Sequence, residues 1–139
     1  MDLEGRVIQT IQTDTSGRTL FTQPRYVAFS TVNNVIYVSD FDNSSLTCML
    51  QSGSIQWVYK DGQLKGAAGL AIGDGGCIYL CSYRTHAIHV VSQDGVQLAI
   101  IPPSVSGVKL PYAVCYSSSQ RTLYVSSYNN NYIRRLSLQ

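Results

Sequence analysis

Apolar residues in this chain fall in short runs, among them YVAF at 26–29, GLAI at 69–72, CIYLC at 77–81, AIHVV at 87–91 and YAVC at 112–115, separated by turn formers such as Ser, Asn, Gly and Pro. Runs of this length, rich in Val, Ile and Tyr, predict β-strands rather than helices. CIYLC and AIHVV are apolar at consecutive positions, so both faces of their strands are expected to be covered, as in a sheet packed between two others.

The pattern repeats. YVSDFDNSSL at 37–46, YLCSYRTHAI at 79–88 and YVSSYNNNYI at 124–133 align with leading tyrosines 42 and 45 residues apart, and the upstream runs beginning at Tyr26, Gly69 and Tyr112 are spaced by 43. Two of those runs closely follow a proline, Pro24 and Pro111. Downstream comes a strand led by glycine, Gly53 with SIQWVY and Gly95 with VQLAII; Gly5 with RVIQTI is a third copy placed ahead of the first repeat. Each unit thus supplies four short strands, and four strands in 42 to 45 residues is the period of a β-propeller blade. The predicted fold class is all-β, a propeller with three four-stranded blades per chain. Residues 1–23 hold a closing fourth strand and loop, 24–66 repeat 1, 67–110 repeat 2 and 111–139 an incomplete repeat 3.

The order P-x-x-[VL]-A-[FI], IYVSD, N-x-x-[IL] and a Gly-led strand resembles the NHL repeat over nearly the whole chain. Repeat 1 carries Asp40 and Asn43; the same positions hold Ser82 and Thr85 in repeat 2 and Ser127 and Asn130 in repeat 3. Ser45, Ala87 and Tyr132 stand where the family often has arginine. The resemblance implies a ring that commonly has six blades and, often, the substrate- or RNA-binding end of a tripartite-motif (TRIM-NHL) ubiquitin ligase. Three blades cannot close a ring, since propellers have about four to eight. Two copies would supply six, each last strand pairing with the partner's Gly-led strand, so a homodimer is expected. A piece of a longer protein is the alternative.

With 139 residues, 45% of them apolar, the chain makes one domain. A net charge of +2 is too small to argue for nucleic acid by itself. The start MDLEGRVIQTIQ lacks the pattern of a secretory leader, and no run approaches the roughly 18–20 apolar residues of a membrane span. A cytoplasmic protein without membrane contact, with Cys48, Cys77, Cys81 and Cys115 as buried reduced thiols, is the expectation.

The thiol and imidazole groups of YLCSYRTHAI suggest a metal or nucleophile site. Yet Cys81 aligns with Ser39 and Ser126, and His86 with Ser44 and Asn131, and no second cluster supplies the three or four ligands zinc requires. No metal, no cofactor and no catalytic set is expected, since no acid recurs at one position of all three repeats. Loops on one face hold Arg18, Arg25, Lys60, Lys65, Arg84 and Lys109 against Asp14, Asp40, Asp42 and Asp61. The other face holds Arg121 against Asp2, Glu4, Asp74 and Asp94, so the two faces differ in sign. Arginine beside tyrosine can stack on flat groups and bind phosphate or carboxylate. The candidate ligand-binding residues are therefore Arg25, Tyr26, Phe41, Tyr83, Arg84, Tyr112, Tyr128 and Asn129. A non-catalytic recognition module for a protein or single-stranded RNA is the expected function. A glycan-binding lectin is an alternative, and a calcium-dependent propeller hydrolase using Asn33, Asn34, Asp74, Asn129 and Asn130 is a further one.

Overall fold

The computed structural model describes residues 4–138 and resolves the repeats into three antiparallel sheets. The first is β1 (Pro24–Ser30), β2 (Val35–Asp40), β3 (Ser45–Leu50) and β4 (Ile55–Tyr59) in sequence order. The second is β5 (Ala67–Ile72), β6 (Ile78–Ser82), β7 (Ala87–Val91) and β8 (Gln97–Ile101). The third has β9 (Pro111–Ser117), β10 (Thr122–Ser127) and β11 (Ile133–Ser137), in the order β11-β10-β9. Corresponding positions pair in corresponding register: Ala28 faces Tyr37 and Tyr37 faces Cys48, as Ala71 faces Tyr79 and Tyr79 faces Val90. The first strands of successive blades are neighbours, β1 against β5 and β5 against β9.

The middle blade explains the doubly apolar runs. Because side chains alternate across a strand, Ile78, Leu80 and Val91 turn to blade 1, where they bury Tyr37, Leu46, Cys48 and Tyr59. Tyr79, Cys81 and Ile88 turn the other way, onto Leu123 and Val125 of blade 3. A short helix, α1 (Pro103–Ser106), interrupts the connection from β8 to β9 and ends on Gly107 in the left-handed conformation; apolar periodicity gives no sign of a four-residue helix.

Two expectations are modified. Cys48 and Cys81 are buried, but Cys77 is half-buried and Cys115 exposed, because the face of β9 that carries Cys115 has no blade against it. Residues 4–12 form no strand in the single chain, and Val7 and Ile8 are 83% and 97% exposed.

Between blades 1 and 2 lies a fully buried imidazole. The His89 Nδ1 and the Tyr59 hydroxyl share a hydrogen bond of 2.7 Å, and the Tyr59 oxygen accepts from Gln97 Nε2 at 3.1 Å. Burial lowers the His89 pKa below its ordinary 6.5, with Asp61 and the Gln63 backbone opposing. The folded state therefore holds the neutral ring, and the unfolded chain takes up the proton first as pH falls. Unfolding free energy from urea titrations should be level above pH 6.5 and fall below it, and His89→Leu should flatten that fall. An equal slope in the variant between pH about 7.5 and about 5.5 would assign the effect elsewhere.

Candidate functional site

One backbone device recurs at the turn after the second strand of each blade. The amide of Phe41 donates to the carbonyl of Gln23 (2.9 Å), that of Tyr83 to Gly66 (3.0 Å) and that of Tyr128 to Leu110 (2.9 Å). Each bond ties the turn to the chain entering the first strand of the same blade, so three aromatic rings emerge at equivalent places on one face.

Side chains reinforce the tie. Both oxygens of the buried Asp40 carboxylate accept backbone amides, Oδ2 from Thr22 at 2.7 Å and Oδ1 from Gln23 at 2.8 Å. Ser82, its counterpart in repeat 2, accepts from Lys65 N at 3.0 Å. Ser44 and His86, both with positive φ, hold the next blade's entry: Ser44 Oγ accepts from Gly66 N (3.0 Å) and His86 Nδ1 from Leu110 N (2.9 Å). His86 thus does the work of a serine.

Arg25, Phe41, Tyr83, Arg84, Tyr112 and Tyr128 line one cavity of about 440 Å³ that draws on all three blades. Its floor is Phe41, 6% exposed, and its rim is Tyr128, 47% exposed. Ring centroids lie 5.6 Å apart for Phe41–Tyr83, 5.9 Å for Tyr83–Tyr128 and 5.5 Å for Tyr112–Tyr128, distances typical of favourable aromatic pairs. The Arg25 and Arg84 guanidinium carbons sit 3.9 and 4.9 Å from the Phe41 centroid. Arg25 also donates to the Tyr112 hydroxyl at 3.3 Å. In the amide orientation that satisfies its neighbours, Gln23 accepts from Arg25 at 3.1 Å and donates to Asp42 at 2.8 Å. The Arg84 guanidinium makes no hydrogen bond among the described residues. An arginine stacked by its face keeps its N–H edge available for a carboxylate or phosphate, and the tyrosines beside it offer ring faces to a flat group.

Six of the eight sequence candidates therefore meet. Tyr26 stands behind them, edge-on to Tyr112 at 5.6 Å, with its pKa pushed up to about 12 by burial and then by Tyr112. Asn129 is exposed on the β10–β11 turn with φ 59° and does not line the cavity. Gln23 was not legible as a site residue: its role depends on Asp40 fixing its backbone, and a lone glutamine before Pro24 carries no pattern.

The residues for the calcium alternative separate. Asn33 and Asn34 lie in the β1–β2 turn and Asp74 in the β5–β6 turn, whereas Asn129 and Asn130 lie in the β10–β11 turn, at the other end of the strands. Asp74 instead accepts from Tyr116 (2.6 Å) and Ser118 (2.7 Å), bonds that lower its pKa. Among the described residues no group of three His, Cys, Asp or Glu could hold a metal, and no helix is long and apolar enough to cross a membrane.

The fold defines the chain as a set of β-propeller blades. It is similar over 84% of its length to the β-propeller domain of Cps50 (Swd1) from Myceliophteria thermophila, with a TM-score of 0.66 and 9% identity. It is similar over 86% to a chain of the nidogen/laminin complex (0.71, 18%) and over 96% to the hydrazine synthase of Kuenenia stuttgartiensis (0.70, 16%). The match covers 38%, 45% and 36% of those chains respectively, so this chain spans less than half of each. No protein-family model and no curated protein matches it. At such identities the likeness shows the fold, and it includes an enzyme beside propellers not described as such.

Proposed function

We propose that the chain is a non-catalytic recognition module that binds a macromolecule, a protein or a single-stranded RNA, through the arginine and tyrosine face. The observation that carries this reading is the cavity itself: two guanidiniums against one phenylalanine ring, walled by three tyrosines from two further blades. The NHL-like repeat pattern agrees with it. The Arg84 edge would take an anionic group while Tyr128 and Tyr112 stack on a planar one.

The test is binding of random-sequence single-stranded RNA and of an acidic peptide, each titrated with salt. For RNA, Arg84→Ala should weaken binding and lower the log–log salt slope by about one, because one phosphate contact is lost. Tyr128→Ala, at a half-exposed ring, should weaken it about 5- to 100-fold with little change in slope, since stacking releases no counterions. A protein partner should show the same residue map with a weaker salt response. Full affinity in both variants, together with sensitivity to charge reversal at Asp74 and Asp94, would move the site to the opposite face.

A further inference from the structure

The blades are equivalent by repeat, but their faces are not equally covered. Leu46 and Ile88 occupy the same position in the third strands of blades 1 and 2, and each is completely buried against the following blade. Their counterpart in β11 is Ile133, which is 70% exposed. Cys115 and Tyr124 pair on the same face as Ile133, and with Ala113 and Ser126 they border a shallow, mostly apolar depression. At the other end of the array, Val27 and Phe29 occupy the positions of Leu70 and Ile72, which pack against blade 1; Val27 is 71% and Phe29 46% exposed. One end thus presents the face that elsewhere receives a following blade, and the other presents the face that elsewhere receives a preceding one.

The strands show the same complementarity. Blade 3 stops at β11, whose outer edge has no partner among the described residues. The residues ahead of blade 1 begin with a glycine of positive φ, Gly5 at 66°, as the strands led by Gly53 (93°) and Gly95 (84°) do. In the single chain this segment forms no strand and is mostly exposed, but it touches blade 1 at one point. Ile11 packs on Gly53 in the β3–β4 turn, where an added Cβ would lie 3.3 Å from it. Gly53 is the turn glycine that corresponds to Gly95, on which Trp57 of β4 packs; counted from the leading glycine, Ile11 stands two residues further along than Trp57. What it lacks is a third strand to pair with.

We infer that a second copy of this chain is the occupant. Its Gly5–Gln12 segment adds to the β11 edge as the missing fourth strand, and its blade 1 packs its Val27 and Phe29 face on the Ile133 face. The two-fold operation repeats the contact and closes a six-bladed ring with no free sheet edge. Both cavities then open on the same face of one ring. The proposal does not depend on what the cavity binds.

Sedimentation of the 139-residue chain should give twice its 15.3 kDa mass at micromolar concentration, and Cys115 should react with a thiol reagent only on dilution. Ile133→Asp and a chain lacking residues 1–12 should each be folded by circular dichroism and monomeric. Mixed, they should associate one to one, because one intact blade-3 face meets one intact N-terminal segment. A wild-type chain that stays monomeric overturns the inference, as does a ladder of species larger than two. Failure of the mixture to associate, with both variants folded, overturns it as well. If either variant unfolds, disulfide formation between Val7→Cys and Arg135→Cys in a double variant decides: a covalent dimer supports strand exchange, and its absence rejects it.

Discussion

Gly69→Ala should destabilise the protein by about 3 kcal/mol, the upper end for inserting one carbon into a packed interior. A Cβ at Gly69 would stand 2.5 Å from the Tyr112 carbonyl oxygen and 2.7 Å from the Ala113 Cα, well inside the roughly 3.5–4.0 Å of ordinary contact. Both are backbone atoms, so no rotamer change relieves them; β5 and β9 must part. The backbone of Gly69 is not in the left-handed region, which makes the effect steric rather than conformational. The flanking repeats carry Tyr26 and Tyr112 at this position, and their rings meet at 5.6 Å, consistent with an intervening blade that contributes no side chain there. Parting the strands would also shift Tyr112 in the cavity, so ligand binding should weaken with stability. Gly62→Ala is the control: nothing lies within 4 Å of its added Cβ, and its urea midpoint should match wild type. Equal midpoints for the two variants would mean that β5 and β9 are not in close contact.

Gly69 also marks where sequence reading stops. The repeat was legible because a propeller blade is one unit reused: the same tyrosine, turn and glycine recur at a fixed period, and all eleven strands fall where that period puts them. The gathering of Phe41, Tyr83 and Tyr128 was legible for the same reason, since equivalent repeat positions converge toward one axis. Arg25 and Arg84, by contrast, have no arginine counterparts in the other repeats and were read from their place beside Tyr26 and Tyr83. What the period does not carry is each blade's individual surroundings. Gly69 breaks the alignment with Tyr26 and Tyr112, and only the distance across blades gives the reason. Cys115 matches the apolar pattern of its strand but is exposed, because burial of a blade face depends on the neighbour and not on the strand. Asp40 reads in the sequence as a turn-capping group bonded to backbone, and its carboxylate, turned inward, does accept backbone amides. What the sequence does not carry is that it is buried, so it does not add to the exposed charge of that face.

That inward turn makes Asp40→Ala the second large change expected. Asp40 is 1% exposed and accepts from Thr22 N and Gln23 N at 2.7 and 2.8 Å, short charge-assisted bonds that fix the loop entering β1. Alanine would leave both donors without an acceptor in a part-buried loop, at about 3 kcal/mol in sum. Because Gln23 in turn accepts from Arg25, loosening this loop should release Arg25 from its place over Phe41 and weaken binding beyond the loss in stability. Repeat 2 indicates the rescue. Ser82 holds the Lys65 amide with a neutral hydroxyl, so Asp40→Ser should retain one of the two bonds and fall between wild type and alanine in urea denaturation. Binding measured well below the unfolding midpoint separates the two effects: alanine should lose affinity while still folded, and serine should lose less. If Asp40→Ala unfolds at the wild-type midpoint and binds as tightly, the carboxylate neither anchors the loop nor positions Arg25.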